Sequence, residues 1–174
     1  MAIKMIITEP NKILRQKSLP VEKIGKDEQR LMDDMLETMY NAKGIGLAAI
    51  QIGVPKRIIV IDLAKGEEKK NPMYFVNPII NNKNSEYSTY EEGCLSVPNY
   101  FAEIDRPKKC EGEYLDYNGN KHVLQAEGLL STCIQHEMDH LEGILFIDYL
   151  SKLKKTLIIK KLSKQKDRPD RIIV

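Results

Sequence analysis

The chain has 174 residues, 42% hydrophobic and 30% charged, which suits one globular domain with a proper core. A net charge of only +2 excludes the strong positive field of a general nucleic-acid binder. No apolar run approaches the ~20 residues that span a bilayer, and the opening Met1-Ala2-Ile3-Lys4-Met5-Ile6-Ile7 is too short for a signal peptide, with Glu9 and Pro10 interrupting it. The expectation is a single-domain protein over residues 1–174, cytoplasmic, with no membrane partner.

Asn11 to Lys17 reads as a short helical turn after Pro10. Gly25 to Asn41 reads as an amphipathic helix, because Leu31, Met32, Met35, Leu36 and Met39 recur at helical spacing. Asp27 and Glu28 stand near its start, where the helix dipole favours acidic groups. The glycine-rich stretch from Gly44 to Gly53 reads as a helix-to-strand turn. Arg57 to Leu63 holds the run Ile58-Ile59-Val60-Ile61, the pattern of a buried strand. Met73 to Ile80 is a second strand, and Pro78 suggests an edge or an end. Ser85 to Tyr90 and Phe101 to Ile104 are further strands. Lys109 to Asp116 and Lys121 to Glu127 form a hairpin around Asn118-Gly119. A helix over Gly128 to Leu141 follows, with Gly143 placed to cap it. The last helix runs from about Tyr149 to Lys164, so that residues 149–174 form a C-terminal helix and basic tail. Strands joined by short turns between helices predict an α+β fold, with mixed or antiparallel strands packed around one central helix.

That central helix carries Gln135-His136-Glu137-Met138-Asp139-His140. Residues i and i+4 share one helix face, so His136 and His140 can grip one metal ion. Glu137 lies ~100° around the helix, beside the metal rather than on it. This is the apparatus for hydrolysing a carbonyl compound through a metal-activated water. A chance HExxH string is the alternative. Against it, the chain has 3 histidines and spends two of them here. The flanking Leu129, Leu130, Cys133, Ile134, Met138 and Leu141 also mark a buried helix, where polar groups need partners.

A catalytic site needs a third protein ligand. No histidine follows His140, and Glu142 points elsewhere, so the ligand must come from upstream. Cys94, in Glu91-Glu92-Gly93-Cys94-Leu95-Ser96-Val97-Pro98, is the best candidate, although a buried structural thiol is equally common. The three cysteines, Cys94, Cys110 and Cys133, include no CxxC pair, which argues against a disulfide framework or a zinc ribbon. In Gly44-Ile45-Gly46-Leu47-Ala48-Ala49-Ile50-Gln51, small residues surround one amide suited to a polarised oxygen.

Together, the segments ending at Gln51, around Cys94 and at His136 to His140 resemble the three signature motifs of the peptide deformylase family, in its order and spacing. The resemblance covers nearly the whole chain and is closest to the bacterial and organellar type with a helical C-terminus. It implies removal of the N-formyl group from nascent chains that begin with formylmethionine. Cys94, His136 and His140 would hold one divalent ion, Fe²⁺ in the cell, with Zn²⁺, Ni²⁺ or Co²⁺ as substitutes. Metal-bound water would attack the formyl carbonyl, with Glu137 as general base and then acid. Gln51 and the Leu95 N–H would hold the oxyanion. Gly44, Ile45, Gly46, Glu92, Leu129, Thr132, Cys133 and His136 would form the methionine pocket.

Two positions depart from the family pattern. Thr132 stands where an aliphatic residue is common, and Phe101 stands where many members carry arginine. Arg106 is expected to pair with Asp139 behind the metal helix. The lysine-rich stretch Ser151 to Arg171 reads as a solvated helix or, by the resemblance, as a contact to ribosomal RNA. A monomer is expected. The rivals are an HExxH metallopeptidase, which would need a downstream third ligand, a non-catalytic ribosome-associated module, and a closed structural metal site.

Overall fold

The computed structural model describes residues 2–64 and 68–166. Strands β1 (Gly46–Ala48), β2 (Ile58–Ile61), β3 (Met73–Lys83), β6 (Lys109–Leu115) and β7 (Lys121–Glu127) form one sheet in the order β1-β2-β3-β6-β7. All its pairings are antiparallel. β4 (Tyr87–Cys94) and β5 (Val97–Pro107) form a separate antiparallel hairpin, turned by Leu95-Ser96. The helices are α1 (Lys26–Asn41), α2 (Gly128–Leu141) and α3 (Lys152–Lys166). The expected α+β architecture holds.

The two faces of β2 explain its unbroken apolar run. Ile58 and Val60 face α1, where they join Met32, Met35 and Met39. Ile59 and Ile61 face α2, where they join Phe75, Ile134 and Leu141. A strand covered on both faces has no polar side to show, so alternation disappears from its sequence. The sheet is thus sandwiched between α1 and α2. A third cluster, built on Val97, Ile104, Phe146, Ile147 and Leu162, ties the β4–β5 hairpin to a short 3-10 turn (Phe146–Tyr149) and to α3.

Local signals account for the start of α1 and the end of α2. Glu28 accepts the Gly25 N–H at 3.0 Å and starts α1. Gly143, at φ 74°, ends α2 as its spacing predicts, and a side chain there would collide with the Arg15 carbonyl. The final segment is more broken than one helix from Tyr149, because the Phe146–Tyr149 turn precedes α3. The basic stretch beyond residue 166 lies outside the described residues.

Two expectations need correction. β3 is an interior strand and not an edge, flanked by β2 and β6. Pro78 is accommodated because the register slips between Val76 and Ile79, and a bulge needs no ladder hydrogen bond from it. Asn77, at φ 49°, anchors the bulge by exchanging side-chain hydrogen bonds with the Val21 backbone at 2.8 Å. The glycine-rich stretch is also more than a turn. Gly46–Ala48 is the edge strand β1, followed by a 3-10 turn, Ala49–Ile52.

Met35 is fully buried between α1 and the sheet. Met35→Ala is expected to lower the unfolding free energy by ~2–5 kcal/mol in urea titrations, and a loss far smaller than this would mean that the layer between α1 and the sheet is not tightly packed.

Candidate metal centre

α2 lies against the sheet on one side and the β4–β5 hairpin on the other. Its residues Ser131 to Glu137 form an unbroken buried run, so both of its sides meet protein. The spacing of His136 and His140 turns both imidazoles toward Cys94 at the end of β4. The Cys94 sulfur and one nitrogen from each imidazole all lie within 4.8 Å of one another. His140 Nε2 is 3.3 Å from Cys94 Sγ. A tetrahedral ion at ~2.3 Å from sulfur and ~2.1 Å from nitrogen would separate such donors by ~3.6 Å. The donor set therefore fits a single borderline-soft divalent cation, with one position left for a small molecule.

The surroundings orient His136, while His140 Nδ1 is buried without a hydrogen-bond partner. His136 Nδ1 lies 2.8 Å from Glu92 Oε2, which leaves Nε2 for the cation. Glu92 is in turn gripped by Arg106, through Nε at 2.6 Å and Nη2 at 3.0 Å. Arg106 Nη1 donates to Asp139 Oδ2 at 2.8 Å, so the expected Arg106–Asp139 pair is present. Tyr149 also donates to Asp139 at 2.8 Å, and its ring lies 4.9 Å from the Arg106 guanidinium carbon. Sequence reasoning missed Tyr149, since no motif marks it.

Charge in this site is strongly perturbed. Burial opposes the charged form of His136, but Cys94 and Glu92 more than offset it and hold its pKa well above the usual value. Burial holds His140 well below its usual value, with the positive charge of His136 adding to the effect. Burial pushes the Glu137 carboxyl up to about 7; His136 and Arg106 pull it down, while Glu92 and Asp139 add to the rise. Burial also raises the thiols of Cys133, strongly, and Cys110. Cys94 is the cysteine that the fold brings beside both histidines.

Glu137 Oε2 is buried without a hydrogen-bond partner. A Cβ at position 46 would come within 2.5 Å of Glu137 Oε1, so only glycine leaves space for this carboxylate. Gln51 is held at both ends: it accepts the Ala48 N–H at 2.8 Å and donates to Ser96 Oγ at 3.1 Å. Its Nε2 lies 3.6 Å from Cys94 Sγ. The N-terminal segment joins these parts, as Ile7 N–H donates to Gln51 O at 2.7 Å and Glu9 N–H to Ser96 O at 2.8 Å. This strap carries no sequence signal of its own.

The site opens into a cleft of about 520 Å³. Gly44, Ile45, Gly46, Gln51, Glu92, Cys94, Leu95, Leu129, Thr132, Cys133, His136 and Glu137 all line it. Both Glu92 oxygens are nevertheless occupied by Arg106 and His136, so its side chain serves the histidine more than the cleft. Tyr100 and Phe101 extend the wall beyond the residues expected from the motifs.

The fold and the Cys-His-His cluster beside a buried carboxylate define a metallohydrolase-like class of protein. Residues 3–156 match the family described as polypeptide deformylase. The chain is 72% identical over its full length, and over all of the relative, to a peptide deformylase of Pelagibacter ubique. It is 56% identical to one from Rhizobium meliloti, with 94% of each chain covered. The crystal structure of Ehrlichia chaffeensis peptide deformylase in complex with actinonin superposes with a TM-score of 0.92, at 43% identity, covering 97% of this chain and 100% of that one. The chain belongs to the peptide deformylase family of enzymes. No helix among the described residues is long and apolar enough to cross a membrane.

Arg106→Ala is expected to weaken metal binding ten- to hundredfold in a competitive chelator titration, because Glu92 and Asp139 lose their common partner. Unchanged affinity would remove Arg106 from the support of His136.

Proposed function

We propose that this protein hydrolyses the formamide at the start of N-formylmethionyl nascent peptides, releasing formate and a free amino terminus. The observation that carries the reading is the convergence of Cys94, His136 and His140 on one point, with Glu137 beside it in a cleft. The names of its relatives point the same way. One divalent cation would be held by these three residues, Fe²⁺ in the cell and Zn²⁺, Ni²⁺ or Co²⁺ as substitutes. When bound, it supplies a more acidic water and a positive charge near the carbonyl oxygen.

The chain's own residues divide the remaining work. Glu137 takes the proton of the attacking water and returns it to the leaving amine nitrogen, so one water is consumed per formate released. A carboxylate pushed toward neutral pH by burial is suited to both transfers. Gln51 Nε2 and the Leu95 N–H donate to the carbonyl oxygen as it gains charge, and one such donor is typically worth ~3–4 kcal/mol of barrier. The methionine side chain enters the cleft between Gly44 to Gly46 and the α2 residues Leu129, Thr132, Cys133 and His136. A long, unbranched thioether fits a narrow apolar slot. β1 is an edge of the large sheet and β4 an edge of the hairpin, and both border the cleft. An extended peptide backbone would bind between them as an added strand.

In this reading a single domain over residues 1–174 acts as a monomer in the cytoplasm. The lysines of α3, among them Lys152, Lys154, Lys160, Lys161 and Lys164, would contact ribosomal RNA phosphates as the chain emerges. Neutralising lysines on α3 is expected to weaken ribosome binding and flatten its salt dependence; binding insensitive to salt would exclude this contact.

Formate release from formyl-Met-Ala-Ser by anaerobic, Fe²⁺- or Ni²⁺-loaded protein tests the activity. Release is expected to stop on chelation. Glu137→Ala is expected to keep its metal and lose nearly all turnover. Loss of the metal itself from that variant would make Glu137 structural instead.

A further inference from the structure

The stretch from Glu9 to Ser18 threads between the metal helix and the C-terminal elements. Its 3-10 turn, Lys12–Arg15, is capped by Asn11, whose side chain accepts the Ile13 N–H at 3.1 Å. Its backbone is pinned to the end of α2, where the Ser18 N–H donates to Leu141 O at 2.8 Å. The Arg15 side chain then reaches two ways. Nη2 donates to Glu9 Oε1 at 3.0 Å, and Nη1 donates to Asp148 Oδ2 at 2.5 Å. Asp148 is itself fixed, since it accepts the Leu145 N–H at 2.9 Å and forms an ion pair with Lys155 of α3 at 2.5 Å. Arg15 is therefore anchored on the C-terminal side and holds Glu9 on the other.

Glu9 connects this anchor to the site. It is 5% exposed; Arg15 supplies its ion pair, and its Oε2 has no hydrogen-bond partner among the described residues. A buried carboxylate that loses its cation must move toward water or take up a proton. The Glu9 N–H donates to Ser96 O at 2.8 Å, and Ser96 Oγ accepts from Gln51 Nε2 at 3.1 Å. A shift of Glu9 thus displaces the Leu95-Ser96 turn. Both proposed donors to the carbonyl oxygen depend on that turn: the Leu95 N–H lies in it, and Gln51 is aimed by it.

We propose that Arg15 is a positioning residue for the hydrolysis. By holding Glu9 it sets the Leu95-Ser96 turn, and with it both donors to the developing oxyanion. Arg15 does not line the cleft and acts through Glu9 and Ser96. The inference rests on the deformylase reading above. The α2 residues proposed to hold the methionine side chain lie outside this series of contacts, so the loss falls on kcat and spares KM.

The test is formate release from formyl-Met-Ala-Ser by metal-loaded variants, with metal content and folded fraction measured for each. Arg15→Ala is expected to lower kcat about tenfold with KM and metal content unchanged, a part of the roughly 10²–10³-fold that losing an oxyanion donor outright costs. Adding Glu9→Gln should restore most of that loss, because a neutral amide needs no cation. In Gln51→Ala, where one of the two donors is already gone, Arg15→Ala should cost less than it does in wild type. Arg15→Lys keeps the charge without the fork that reaches two carboxylates; it should lower kcat about threefold, and it carries the same comparison if Arg15→Ala does not fold. Wild-type kcat in either variant, folded and metal-loaded, would overturn the proposal. So would equal fold-losses in the wild-type and Gln51→Ala backgrounds, or a loss that appears in KM or in metal content instead of kcat. Failure of the activity itself looks different: no formate from the wild-type protein would withdraw the reaction, and this role with it.

Discussion

The buried guanidinium of Arg106 is the interaction on which the rest of the site depends. It comes from β5, binds Glu92 of β4 through two nitrogens, and binds Asp139 of α2 through a third. Glu92 then faces His136. One side chain thus fixes the hairpin and the metal helix relative to each other. Both members of the Arg106–Glu92 pair are almost fully buried, at 4% and 5% side-chain exposure, so neither can fall back on water. Breaking such a pair from one side typically costs ~3–5 kcal/mol, because a charge is left uncompensated. The pair therefore works less as a source of net stability than as a demand for one arrangement. The observed packing of hairpin on helix gives each of the three guanidinium nitrogens a carboxylate oxygen.

That arrangement matters because the proposed ligands come from distant parts of the chain. His136 and His140 are positioned by a rigid helix, but Cys94 stands at the end of a strand, next to a two-residue turn. Such a turn would be loose if it were isolated. The N-terminal strap holds it through Ser96 and holds Gln51 through Ile7. Gln51 is also clamped by Ala48 and Ser96, so its amide is aimed before any ligand arrives.

Burial shapes the chemistry as well as the geometry. α2 meets protein on both sides, and the same enclosure that orders its histidines drives Glu137 toward neutrality. Gly46 leaves just enough space for that carboxylate against β1.

Local patterns in the sequence were enough to read the helices, most strands, the α+β class and the pairing of His136 and His140 on one face of α2. Periodicity, capping residues and the i, i+4 rule act within a few residues, so a one-dimensional reading captures them. That reading misplaced Pro78 and missed β1, because strand order and bulges depend on partners far away in the chain. It anticipated Cys94 by elimination and the Arg106–Asp139 pair as an expectation. It had no signal for the double grip of Arg106 on Glu92, for the strap through Ile7 and Glu9 or for Tyr149. Residue types and their helical spacing determined what the protein could bind. Only the tertiary structure decided which atoms converge, because hydrogen bonds between distant segments exist only once the sheet, hairpin and helix have packed together.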